Sequence, residues 1–133
     1  VIYLDTSALV KLIRHEAESQ DLVDWLDERV DIPWITSVLT DVELARAIRA
    51  VAPEGLSAVP AVLDRLDRFE IDTVVRATAA AYPDEGLRSL DAIHLATAQA
   101  ASFAAPLTAL VAYDHRLRQA AADLGFPVAA PGI

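Results

Sequence analysis

Residues 1–13 read VIYLDTSALVKLI, and this stretch decides the fold. Val1–Leu4 is short, apolar and without alternation, the pattern of a strand buried on both faces. From Leu9 the apolar residues Leu9, Val10, Leu12 and Ile13 recur at helical spacing, so the strand gives way at once to a helix that Thr6 or Ser7 can cap. Asp5 sits at the junction. A carboxylate there is poorly placed for a solvated charge and well placed to hold a metal ion or to act as a nucleophile.

The same pattern returns near the other end of the chain. Leu107–Tyr113 is a second strong strand, ended by Asp114, and His115–Leu124 is a helix stopped by Gly125. Between them, Glu16–Val30 reads as an amphipathic helix, and Trp34-Ile35-Thr36 as a short strand after the break at Asp31-Ile32-Pro33. Leu39–Val51 is a helix, and so is Leu56–Arg68, with Pro60 in its first turn. Phe69-Glu70-Ile71 is a candidate short strand. Val74–Ala81 is a short helix ended by Tyr82-Pro83. Leu90–Phe103 is an alanine-rich helix, and Pro127-Val128-Ala129 a last edge strand. Strands alternating with helices predict a single-domain α/β/α fold over residues 1–133, with a central parallel sheet of about four or five strands.

Composition bounds the function. The 133 residues are 54% hydrophobic and 23% charged, which fits one folded domain with a substantial core and excludes a disordered chain. There is no cysteine, so disulfides and thiolate metal sites are excluded. No apolar run reaches membrane-spanning length and no signal-peptide pattern opens the sequence, so the expected location is cytoplasmic. A net charge of −9 argues against bulk electrostatic attraction to nucleic acid. Of the 11 basic residues, however, all but Lys11 are arginine, the better bidentate phosphate ligand.

Four acids lie inside or against apolar segments: Asp5, Glu43, Asp91 and Asp114. Each has an ordinary explanation. Asp5 and Asp114 are candidate helix caps. Glu43 completes a Thr-x-x-Glu capping box with Thr40, and Asp91 suits the first turn of a helix capped by Ser89. All four explanations put the acids at helix starts, and in this topology helix starts follow the carboxyl ends of strands, where ligands of open parallel sheets bind. Two carboxylates about 5 Å apart repel by about 3 kcal/mol at an effective dielectric of 20. A cluster of four therefore takes up protons or a cation. Carboxylate-only ligation suits Mg²⁺ or Mn²⁺, and such sites commonly perform phosphoryl chemistry.

The segments VIYLDTSALVKL, TSVLTDVELARA, LRSLDAIHLATA and AYDHRL stand in the order found in PIN-domain ribonucleases, and over essentially the whole chain the sequence resembles the VapC-type toxins of bacterial toxin–antitoxin pairs. The resemblance implies a Mg²⁺- or Mn²⁺-dependent endoribonuclease whose acidic quartet is Asp5, Glu43, Asp91 and Asp114, acting on tRNA or rRNA. It also implies a homodimer, assembled into a heterotetramer or larger with a small inhibitory antitoxin. The net negative charge suggests that the antitoxin reaches the carboxylates with a basic, arginine-bearing segment. Similar proteins often carry Ser or Thr where this chain has Ala112, a hydroxyl that Thr6 or Ser7 is placed to replace.

Around the quartet, Thr6 and Ser7 are candidate substrate contacts. Arg46 and Arg49 follow Glu43 on its helix, and Arg88 and Arg116 flank Asp91 and Asp114; each reads equally as a phosphate grip or as part of a solvated face. His94, three residues after Asp91, is within reach of the site edge but reads first as a packed, hydrogen-bonded histidine. Trp25 and Trp34 read as core or dimer contacts. An aspartate-based phosphatase of the haloacid-dehalogenase type would need a second Asp at position 7, which is Ser7. A receiver domain would need a late lysine, and Lys11 is the only one. The remaining alternative is a PIN fold kept as a silent binding module.

Overall fold

The computed structural model describes residues 1–133 and contains a five-stranded, wholly parallel sheet in the order β3-β2-β1-β4-β5. The strands are β1 (Ile2–Leu4), β2 (Trp34–Ser37), β3 (Leu66–Phe69), β4 (Ala109–Val111) and β5 (Val128–Ala129). The helices are α1 (Thr6–Ile13), α2 (Ser19–Asp27), α3 (Leu39–Val51), α4 (Val59–Asp64), α5 (Thr73–Ala81), α6 (Ser89–Ser102) and α7 (His115–Asp123). The sequence-based α/β/α reading therefore holds, with five strands.

β1 is central. It pairs with β2 through Ile2↔Trp34 and with β4 through Leu4↔Val111. Its alternation divides the core. Ile2 and Leu4 pack with Leu9, Leu22, Leu44, Ile48 and Val111 beneath α1–α4, while Tyr3 packs with Leu95, Leu110, Leu117 and Ala121 beneath α6 and α7. Every one of these side chains is fully buried, which is why VIYL carries no polar alternation. Small residues let α6 pack closely on several sides: Ala92, Ala96, Ala98 and Ala101 are all buried in it, and α5 lies against it.

Several readings of the sequence need correction. Leu56–Arg68 is not one helix: a 3-10 helix at Pro53–Ala58 leads into α4, and the chain then enters β3 at Leu66. β3 thus overlaps the expected Phe69-Glu70-Ile71 only at Phe69. It is an edge strand with only Leu66 buried, so it needs no apolar run and shows none. The Thr40–Glu43 capping box does not form. Ser37 accepts from the Leu39 N–H at the start of α3, while the Thr40 hydroxyl is buried against that of Thr36 at 2.8 Å. Ser89 begins α6 without acting as its cap. The expected helix over Glu16–Val30 contracts to α2, and the Leu107–Tyr113 strand to β4.

Candidate active site

β1 and β4 are adjacent, so their carboxyl ends deliver Asp5 and Asp114 to one edge of the sheet. The Asp5 N–H donates to the Val111 carbonyl at 3.0 Å, continuing the ladder one residue past the strand. Asp5 then caps α1: its Oδ2 accepts from the Ser7 N–H at 3.2 Å and from the Ser7 hydroxyl at 2.6 Å. Asp114 caps α7 in the same way, accepting from the Arg116 N–H at 2.8 Å. The ordinary reading of both aspartates is correct and coexists with the clustered one. The cap of α1 is Asp5 itself and not Thr6 or Ser7.

The two hydroxyls have other tasks. Ser7 Oγ also accepts from the Tyr113 N–H at 2.9 Å and so ties the ends of β1 and β4 together. A hydroxyl thus does reach the strand end where Ala112 lacks one. Thr6 Oγ1 donates to Glu43 Oε1 at 2.8 Å, drawing α3 toward α1.

Glu43 has a second partner on that oxygen, His94 Nε2 at 2.5 Å, and the same nitrogen lies 3.5 Å from Asp5 Oδ1. His94 is 1% exposed, and its other ring nitrogen meets the hydroxyl of the fully buried Tyr3 at 2.7 Å. His94 is therefore the packed, hydrogen-bonded residue that its apolar helix suggested, but its partners lie at the centre of the site. Its position three residues after Asp91 puts both on one face of α6. Tyr3 is the residue that sequence reading overlooked. The available signal was its place in β1: alternation turns Tyr3 away from Ile2 and Leu4 toward the α6 face.

The electrostatics follow from this geometry. Burial raises the Asp91 carboxyl above the usual carboxylate range, and the charges of Asp114, Asp5 and Glu43 add to the rise against the opposing effect of His94. Burial works to raise Glu43 as well, but the His94 hydrogen bond and charge, with the Thr6 bond, outweigh it and hold Glu43 below its ordinary value. For His94 burial works downward, and the Glu43 bond and the surrounding carboxylates outweigh it, leaving the imidazole raised. Burial, reinforced by the Asp5 charge, pushes the Tyr3 phenol well above its ordinary value, so it keeps its proton.

The donor set suits a hard cation. Asp5 keeps Oδ1 free of hydrogen bonds, Glu43 keeps Oε2, Asp114 keeps Oδ2, and Asp91 accepts none from the protein. Each carboxylate can therefore offer an oxygen, as Mg²⁺ and Mn²⁺ require. The side chains share the edge without closing on it, since no three Asp, Glu or His residues stand together at metal-ligand spacing.

The PIN domain family model matches residues 2–123, a span that holds all four acids, Tyr3 and His94. The chain belongs to the PIN-domain family. Ribonuclease VapC35 of Mycobacterium tuberculosis (strain ATCC 25618 / H37Rv) is 70% identical over 132 residues, covering 99% of this chain and 98% of that protein. Ribonuclease VapC47 of strain CDC 1551 / Oshkosh is 41% identical over 135 residues, covering 99% of this chain and 98% of its own. Ribonuclease VapC46 of strain H37Rv is 41% identical over 130 residues, covering 98% and 97%.

Within this PIN domain the arginines lie outside the acidic centre. Arg46, Arg49, Arg88 and Arg116 are exposed, and none of the protein's ion pairs involves them. Trp25 and Trp34 pack against the core, with the guanidiniums of Arg29 and Arg65 stacked 4.0 and 3.8 Å from their ring centres. Lys11 is largely covered, 2.9 Å from Glu18 and 4.5 Å from the Tyr113 ring centre. No helix is long and apolar enough to cross a membrane.

Proposed function

We propose that this PIN domain is the toxin of a toxin–antitoxin pair, an endoribonuclease that depends on Mg²⁺ or Mn²⁺ and cleaves tRNA or rRNA in the cytoplasm. The observation that carries the reading is the convergence of Asp5, Glu43, Asp91 and Asp114 at one sheet edge, each with an oxygen left unbonded, in a chain 70% identical to a protein named a ribonuclease.

In this reading Asp5, Asp91 and Asp114 hold the cation, and Glu43 either ligates it or orients the attacking water. The cation supplies charge neutralisation at the scissile phosphate and a lowered water pKa. The chain's own residues do the rest. Ser7 fixes the carboxylate of Asp5 with two bonds to Oδ2, and Thr6 with His94 fixes that of Glu43, so neither spends binding energy on becoming ordered. Arg46, Arg49, Arg88 and Arg116 are exposed cations around an acidic centre and serve to grip flanking phosphates. The chain as a whole carries a net charge of −9 and repels RNA, so its hold on the substrate depends on such local cations.

The regulatory partner in this reading is a small antitoxin that covers the carboxylates with an arginine-bearing segment, on a homodimer of the toxin. A complex in which the acidic edge stays open would contradict that arrangement. The enzymatic reading is tested by incubating purified protein with total RNA and Mn²⁺ and mapping the ends. Discrete cuts with 5′-phosphate and 3′-hydroxyl ends, abolished by chelator, are expected. Intact RNA at every Mn²⁺ concentration up to about 10 mM would favour a silent binding module.

A further inference from the structure

His94 and Tyr3 form a buried pair that the quartet alone does not explain. A histidine this deeply buried costs free energy unless both ring nitrogens are satisfied. Here both are: Nδ1 by the Tyr3 hydroxyl at 2.7 Å and Nε2 by Glu43 Oε1 at 2.5 Å. A carboxylate only accepts hydrogen bonds, so Nε2 carries the hydrogen in either charge state of the ring. In the neutral ring Nδ1 is then the acceptor, and Tyr3 donates to it. The Thr36 side chain and the Ser37 backbone also lie against the Tyr3 phenol, and Asp5 Oδ1 is 3.5 Å from His94 Nε2. The two rings meet edge to face, with centroids 5.9 Å apart and planes at 79°.

The pair joins three elements. Tyr3 belongs to β1 and lies two residues before Asp5, His94 belongs to α6 and lies one helical turn after Asp91, and Glu43 belongs to α3. Nε2 lies between two of the acids, 2.5 Å from Glu43 Oε1 and 3.5 Å from Asp5 Oδ1. Glu43 needs such a hold more than the two capping aspartates do. Asp5 and Asp114 are each fixed by capping a helix, whereas Glu43 sits on the fifth residue of α3 with a longer, more flexible side chain and no local backbone partner. Both of its bonds come from other elements and both fall on Oε1, which sets the direction of Oε2.

We infer that Tyr3 and His94 are positioning residues of the ribonuclease site: Tyr3 fixes the ring plane of His94, and His94 holds Glu43 Oε1 beside Asp5 so that Oε2 is presented to the cation and its water. The inference rests on the metal-dependent reading above. It differs from a purely structural role because the Nε2 bond ends on a functional carboxylate and not on a backbone group. Hydrogen-bond partners of metal-binding carboxylates commonly change metal affinity or activity about 10- to 100-fold when removed.

The test compares wild-type protein with His94→Gln, His94→Leu and Tyr3→Phe. Folding is checked by circular dichroism and Mn²⁺ affinity by calorimetry without RNA. Activity is measured as kcat and KM on a defined RNA. The inference predicts that His94→Leu weakens Mn²⁺ binding or lowers kcat by about 10-fold or more with KM within about 2-fold. Gln, which keeps a donor for Glu43, recovers much of the loss. Tyr3→Phe removes one oxygen from a fully packed ring and lowers kcat about 3- to 10-fold. Folded Tyr3→Phe and His94→Leu proteins with wild-type kcat and Mn²⁺ affinity would overturn the inference while leaving the ribonuclease reading in place. If His94→Leu does not fold, Tyr3→Phe decides alone. A wild-type protein that neither binds Mn²⁺ nor cleaves RNA would overturn both, and would be recognised from the wild type itself.

Discussion

Asp91→Asn separates a metal centre from a set of helix-starting acids. Asp91 accepts no hydrogen bond, so an isosteric amide loses no bond. Its carboxyl is raised by burial and by the charges of Asp114 and Asp5, so at neutral pH its ionisation works against the fold. The sign is that of a raised acid: the penalty is absent below the unfolded pKa and complete above the folded one. Two of the neighbouring carboxylate oxygens, on Asp5 and Glu43, lie 3.5 and 2.5 Å from the same His94 nitrogen. Two carboxylates about 6 Å apart repel by about 3 kcal/mol at a dielectric of 20 and by under 1 kcal/mol in bulk water. Asp91 is half solvated, so the relief is about 1 kcal/mol, or a rise in melting temperature of roughly 3–5 °C for a chain of this size.

Metal reverses the order. At 10 mM Mn²⁺ and a dissociation constant of about 1 mM, wild-type protein gains about 1.4 kcal/mol, and a variant lacking one ligand gains far less. Differential scanning fluorimetry in chelator and across a Mn²⁺ titration should therefore show the variant more stable without metal and the wild type more responsive with it. A variant destabilised in chelator, or one with an undiminished Mn²⁺ response, would refute the repulsion argument.

Other perturbations follow from the same geometry. Ser7→Ala removes the hydroxyl that holds Asp5 and accepts from Tyr113, and should cost about 1–3 kcal/mol in denaturant melts. Thr36→Val keeps the shape but strips the buried bonds to the Leu4 carbonyl and to Thr40, with a similar cost and no direct effect on Mn²⁺ affinity. The metal-free protein should lose stability as pH falls below the ordinary Glu range near 4.5, because the depressed Glu43 pKa stabilises only while the group is ionised. The raised His94 pKa stabilises below its ordinary 6.5 and is lost as pH rises through the folded value. Thermal melts in chelator should thus peak on the acidic side of neutrality, and His94→Gln should flatten the alkaline side.

The sheet was legible because β1 and β4 are buried on both faces and so lack polar alternation, and because an aspartate follows each, Asp5 directly after β1 and Asp114 three residues after β4. β3 was not, since an edge strand with one buried residue leaves no periodic trace. At the site, Asp5 and Asp114 were legible twice over, as helix caps and as members of a cluster, and the structure makes them caps at one sheet edge. The capping box that offered an ordinary explanation of Glu43 does not form, and the partners it has instead, Thr6 and His94, stand 37 and 51 residues away. Local spacing cannot encode such partners. His94 was read correctly as packed, yet its function lies in what it packs against, and Tyr3 carried no motif at all.

The measurement that tests the account most directly is the cleavage rate of a defined RNA by purified wild-type and Asp5→Asn proteins, with and without Mn²⁺. Asp5 sits where β1 meets α1, is 6% exposed, and is held by Ser7 with one oxygen left over. The account predicts metal-dependent cleavage by the wild type and a loss of about 100-fold or more in the variant, the scale of a lost charged contact in the transition state. Cleavage by Asp5→Asn at the wild-type rate would contradict it.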